Sequence, residues 1–214
     1  MKKLIELAQK IKDKELRKQV VEFIKKPELT HRDFKKYPRM KIEKARSVFT
    51  VTSPSGSGSV ERDVLNHSVA LVDLCLKVAD SIEKSYGIPL NRDNLVAAAL
   101  LHDLMKMFEY KEGKEGLEHT GILLDHSMLA VAEFYYRGIP EQVIHIIASH
   151  FGESGPTPPR NFEALIFHYC DTLLSLTEFH VYGGKQAQQP LQLVLLDEEA
   201  LKKMVGETPE EKTK

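Results

Sequence analysis

The stretch Leu95-Val-Ala-Ala-Ala-Leu-Leu101 is apolar on every side of a helix, and it runs directly into His102, Asp103 and Lys106. A helix without a polar face is buried, so this one is central and the rest of the chain wraps around it. The same position makes polar groups expensive, because an unpaired imidazole or carboxylate is costly to bury. Asp103 therefore needs compensation, and a buried cation or a metal ion would supply it. Lys106, three residues further on, is one such cation. The spacing predicts a helix from Asn94 to about Phe108, with Asn91 as its N-cap.

The remaining pattern is also helical. Apolar residues at Leu4, Ile5, Ala8, Ile11, Leu16, Val20 and Ile24 fit one amphipathic helix or two short ones. A helix is expected from about Asp63 to Gly87, with others near 122–136, 140–151 and 161–178. The polar segment 109–120 reads as a loop. Thr52-Ser-Pro-Ser-Gly-Ser-Gly-Ser59 reads as a flexible loop by composition, either a linker or a cover for a pocket. Beyond His180 the periodicity weakens to a short strand or irregular stretch at 191–196, a helical turn at 197–205 and a frayed tail. The chain thus divides into a basic helical lead-in at 1–46, a Ser/Gly loop at 47–62, a core at 63–180 and a C-terminal extension and tail at 181–214. The fold class is all-α.

Composition removes several classes. The 214 residues include only two cysteines, Cys75 and Cys170, so no disulfide framework exists and a cytoplasmic location is expected. No apolar run reaches the ~18 residues of a membrane span, and the charged N-terminus does not read as a secretory signal. Charge is uneven: residues 1–46 hold 16 Lys or Arg against 7 Asp or Glu, leaving 14 against 24 elsewhere. A basic arm on an acidic body suits a phosphate-bearing partner, although on charge alone a solvated helical hairpin is the simpler reading.

Other helices repeat the anomaly of His102 and Asp103. His67, His126, His150 and Asp171 each interrupt an otherwise apolar stretch. Four histidines and two aspartates without a thiolate make an N/O donor set suited to Mn, Fe, Co, Ni, Zn or Mg. A lone buried histidine is usually a satisfied core residue, but six such residues together favour ligation.

Their order, His67, His102-Asp103, His126, His150, Asp171, resembles the H…HD…H…H…D signature of the HD-domain metal-dependent phosphohydrolases. Leu100-Leu-His-Asp-x-x-Lys106, Gly121-x-Leu-Leu-x-His-Ser127, Ser149-His-x-Gly-Glu153 and Glu163-Ala-Leu-x-x-His-Tyr-x-Asp171 extend the likeness. The last three resemble the HD half of 3′→5′ exoribonucleases that carry an OB-fold before it, over roughly residues 1–180. Two departures stand out. Met105 replaces the Gly usual in HD-x-G-K, which is expected to shift the backbone or narrow the pocket. No OB-fold segment is present, so processive RNA degradation is not carried over.

The resemblance implies an HD-domain helical bundle holding two divalent ions. His67, His102, Asp103 and Asp171 would bind one, with Asp103 bridging to a second on His126 and His150. Asp103 and Lys106 would be the catalytic pair, Lys106 against a phosphate oxygen or, equally simply, in an ion pair with Asp103. His168 and His119 are weaker substrate candidates. The implied activity is hydrolysis of a phosphodiester or phosphomonoester of a nucleotide-like substrate, with cyclic-phosphate diesterase and 3′→5′ exonuclease as leading subtypes. A phosphate-bearing small molecule or a nucleic-acid end would be the partner, with no membrane. A non-catalytic nucleotide sensor, a di-iron oxygenase and a plain helical scaffold are the alternatives. The oligomeric state is open.

Overall fold

The computed structural model describes residues 1–53, 56–114 and 116–183. Expectations for the C-terminal extension beyond residue 183, including the strand at 191–196 and the turn at 197–205, lie outside the described residues.

Two short helices open the chain, α1 (Lys2–Ala8) and α2 (Lys14–Lys25). Asp13 separates them by capping α2, its carboxylate accepting from the Leu16 N–H at 2.8 Å. Leu16, Val20, Phe23 and Ile24 recur at helical spacing and form the buried face of α2. Helix α3 (Val64–Tyr86) is capped by Asp63 and closed by Gly87, whose φ of 67° needs a residue without a Cβ. Asn91 caps α4 (Arg92–Leu101), in which every residue from Asn94 to Leu101 is buried. Helices α1, α2, α3, α7 (Glu141–Ala148) and α8 (Phe162–Tyr182) all pack on α4. The apolar segment is therefore the axis of the bundle. Helix α6 (His126–Tyr136) packs on α7.

Several expectations are corrected. The segment 47–62 is not a loop. β1 (Arg46–Ser53) and β2 (Gly56–Asp63) form an antiparallel hairpin with Arg46 opposite Asp63. Val48, Phe49 and Thr50 carry β propensity that the neighbouring Ser/Gly content obscured. The hairpin gains its own small core from Val60 and Phe179, with Phe49 packed against them. Phe179 belongs to an α8 that runs longer than expected. A Cβ at position 58 would come within 3.1 Å of the Phe179 ring, so Gly58 permits that approach.

The helix expected through Phe108 ends instead at Leu101. Lys106 N–H bonds to Asp103 O at 3.0 Å and Phe108 N–H to Met105 O at 2.9 Å, an i→i+3 pattern that tightens residues 102–105 into turns. A short helix, α5 (Lys106–Glu109), follows. Met105 is fully buried at φ −68°, ψ −17°, so the backbone needs no glycine there. The polar segment 109–120 carries a second small hairpin, β3 (Tyr110–Glu112) with β4 (Leu117–His119). The described residues remain a helical domain with two hairpins at its edge. None of their helices is long and apolar enough to cross a membrane.

Candidate metal centre

The end of α4 divides its two polar residues between neighbouring clusters. Within one, donor atoms of His67, His102 and Asp171 lie within 4.8 Å of one another; in the second, those of Asp103, His126 and His150 do. His67 comes from α3 and Asp171 from α8, both packed on α4. His126 is the first residue of α6, and His150 lies just past α7 rather than on it. The His102 ring centroid is 5.5 Å from that of His67 and 5.8 Å from that of His150, so the clusters are contiguous.

Each imidazole is anchored through Nδ1. His102 Nδ1 donates to Ala99 O at 3.3 Å, and His150 Nδ1 donates to Ile147 O at 2.7 Å. His126 Nδ1 donates to Glu109 at 3.2 Å, and His67 Nδ1 donates to Glu178 at 3.0 Å. With the proton on Nδ1, the Nε2 atoms of His102, His126 and His150 turn their lone pairs inward. The Nε2 atoms of His126 and His150 then face each other at 3.3 Å. His102 Nε2 and Asp103 Oδ1 are buried and have no hydrogen-bond partner. Buried acceptors gathered in this way could hold divalent ions.

The electrostatics agree. Burial pushes His102 down to about 3 and His150 down to about 4, which leaves both neutral and able to ligate. Asp171 is also desolvated, yet its hydrogen bond to His67 and the charge on that imidazole hold its carboxyl well below the usual range. Burial likewise opposes charge on Asp103, where the cations Lys106 and Arg62 prevail and keep it ionised. Burial works against the charge on His67, but hydrogen bonds to Asp171 (2.9 Å) and Glu178 raise its pKa. A bound ion would replace the proton that His67 Nε2 shares with Asp171.

Arg62, Glu178 and Glu109 complete the site, and sequence reasoning missed all three. Arg62, the penultimate residue of β2, sends Nη2 to Asp103 Oδ2 and Nη1 to Ser175 Oγ at 3.0 Å and Glu178 Oε2 at 3.3 Å. Glu61-Arg62-Asp63 reads in sequence as ordinary surface charge. Glu178 was findable, since Asp171, Ser175 and Glu178 fall at i, i+4 and i+7 on one face of α8.

Lys106 Nζ lies 3.0 Å from Asp103 Oδ2, which is the ion-pair arrangement rather than an open phosphate contact. His168 Nδ1 donates to His150 O at 2.7 Å, which ties it to the backbone of a ligand candidate. His119 is exposed on β4, where its Nδ1 accepts from Gly121 N–H at 3.1 Å, and it joins neither cluster. An apolar groove of about 480 Å³ between residues 29–34 and α6 contains none of the six donors.

A family model described as the HD domain matches residues 64–176. The chain belongs to the HD-domain family. Within it, the chain stands with the phosphohydrolases. It is 42% identical over 173 residues to the dihydroneopterin 2′,3′-cyclic phosphate phosphodiesterase of Methanocaldococcus jannaschii, covering 80% of this chain and 67% of that protein. It is 33% identical over 126 residues to the 3′-5′ exoribonuclease YhaM of a Geobacillus species, and 34% identical over 120 residues to that of Bacillus subtilis. Those alignments take in half of this chain but only 39% and 36% of the exoribonucleases. No solved structure matches.

Proposed function

We propose that the chain is a divalent-metal-dependent phosphodiesterase that opens a cyclic phosphate on a nucleotide-like substrate. The observation that carries this reading is Asp103 Oδ1, buried without a partner and 3.5 Å and 3.4 Å from the Nε2 atoms of His102 and His126, which belong to the two clusters. With that outlook Asp103 would help to hold an ion at either cluster, drawn from Mn, Fe, Co, Ni, Zn or Mg. His67, His102 and Asp171 would hold one ion, His126 and His150 the other. Bound there, such ions neutralise phosphate charge and acidify a water.

The chain's own groups prepare that chemistry. Arg62 and Lys106 hold Asp103 Oδ2 and direct Oδ1 between the clusters. Glu178, Glu109 and the carbonyls of Ala99 and Ile147 fix the imidazole tautomers. In the net reaction a water oxygen bonds to phosphorus, one ester P–O bond breaks, and the departing oxygen leaves as a hydroxyl. No electrons are exchanged, which separates this reading from an oxygenase. The Methanocaldococcus relative, named for a cyclic phosphate, aligns with more of this chain than the exoribonucleases do, and that favours the cyclic-phosphate subtype.

The test is metal analysis of purified protein, followed by a Mn²⁺-supported screen of nucleoside 2′,3′-cyclic phosphates, monoesters and short RNA. Opening of a cyclic phosphate to a monoester is the expected result. Stepwise shortening of RNA would favour the exonuclease instead. Tight nucleotide binding without turnover would indicate a sensor, and oxygen uptake by iron-loaded protein an oxygenase.

A further inference from the structure

We propose that Phe151 is the surface on which the planar heteroaromatic ring of the substrate stacks, which makes it a specificity-determining residue of this site. The inference rests on the phosphodiesterase reading and adds the class of organic group that lies beside the phosphate.

Phe151 directly follows the ligand candidate His150. Its ring lies 4.0 Å from the His150 ring at 35°, and 5.7 Å from the His126 ring at 70°. Both imidazoles belong to the second cluster. They are nearly closed off, at 4% and 7% exposed, whereas Phe151 is 43% exposed. A large aromatic residue thus covers the histidines with part of its surface and offers the rest to solvent beside the metal centre.

The ring is also held in place. Gly152, the next residue, has φ +61°, and the His168 ring sits so close that a Cβ there would fall 2.4 Å from it. His168 in turn bonds to the carbonyl of His150 at 2.7 Å. On the other side, Phe151 Cβ would lie 3.0 Å from a Cβ at position 155, where glycine stands. Glycines at 152 and 155 thus let the backbone around Phe151 pack closely, and the His150 and His126 rings back its ring. A rigid aromatic surface loses little freedom when a ligand stacks on it. Stacking suits purine- and pterin-like rings alike, because each presents a π face.

The chain contains no tryptophan, so Phe151→Trp installs a unique fluorophore at the proposed contact. Guanosine 3′-monophosphate is expected to quench its emission, and inorganic phosphate to leave it unchanged. In kinetics, Phe151→Leu keeps apolar bulk but removes the π face. It is expected to raise KM for guanosine 2′,3′-cyclic phosphate about tenfold, with kcat nearly unchanged. KM for methyl riboside 2′,3′-cyclic phosphate, which lacks a base, should hold, and Phe151→Tyr should restore the wild-type value. Equal effects on both substrates, or quenching by phosphate and nucleotide alike, would overturn the assignment. If wild-type protein hydrolyses neither substrate, the phosphodiesterase reading falls, and the fluorescence titration still decides whether a base stacks here.

Discussion

Arg62 and Asp103, 41 residues apart, meet in a buried ion pair of 2.5 Å that ties the first hairpin to the end of the central helix. The guanidinium also reaches Glu178, which holds His67, so one side chain braces ligand candidates of both clusters. Its fork geometry makes this possible, because a planar guanidinium serves several acceptors at fixed angles.

Arg62→Ala should therefore act on stability and metal uptake together. Breaking a buried pair leaves uncompensated charge and costs about 3 kcal/mol, with Lys106 offsetting part of the loss at Asp103. Arg62→Lys should keep the charge and lose the fork, giving a smaller drop. Thermal melts and metal stoichiometry measure both; an unchanged stoichiometry in Arg62→Ala would remove Arg62 from the site.

The double variant His102→Ala, Asp103→Ala removes one donor from each cluster. Mn²⁺-dependent hydrolysis of bis-p-nitrophenyl phosphate should vanish, and metal content should fall in the same preparation. Full activity would reject the site.

Removing metal should lower stability as well as activity. An ion present at a hundred times its dissociation constant stabilises the folded state by about 2.7 kcal/mol. The melting temperature should fall after EDTA treatment and recover on Mn²⁺ addition, a shift that the double variant should not show.

Glu178→Gln keeps the shape beside His67 and removes the charge. Because the carboxylate fixes the imidazole and strengthens its Nε2 as a donor, metal affinity should fall about 10- to 100-fold. Competition titration against a chelating dye reads this directly. Unchanged affinity would reduce Glu178 to a structural partner of Arg62.

Gly152→Ala places a Cβ at φ +61° and 2.4 Å from the His168 ring. Strain of roughly 1–3 kcal/mol is expected, and His168 must shift, releasing its hold on the His150 carbonyl. The melting temperature should drop, with a weaker second equivalent of metal in titration.

Much of the architecture was legible because burial and polarity conflict so plainly along the chain. Leu95–Leu101 could only be central, and Asn91 and Gly87 marked helix ends by their own chemistry. The hairpin at 46–63 was hidden because its Ser/Gly content resembles a linker, and its partner strand and Phe179 are what give it order. The boundary at Leu101 was hidden for a different reason. Helical propensity continues through Leu104 and Met105, and only the tertiary setting of His102 and Asp103 tightens the turn.

What the chain's own order determined was a set: four imidazoles and two carboxylates in apolar surroundings, which must be gathered or compensated because isolated polar groups are too costly to bury. Tertiary structure decided the partition. Ending α4 at Leu101 sends His102 toward His67 and Asp171, and Asp103 toward His126 and His150. It also decided that a hairpin arginine should steady the shared aspartate. Those outcomes depend on how distant elements pack against one helix end, and distances between segments far apart in sequence are set by that packing rather than by local pattern.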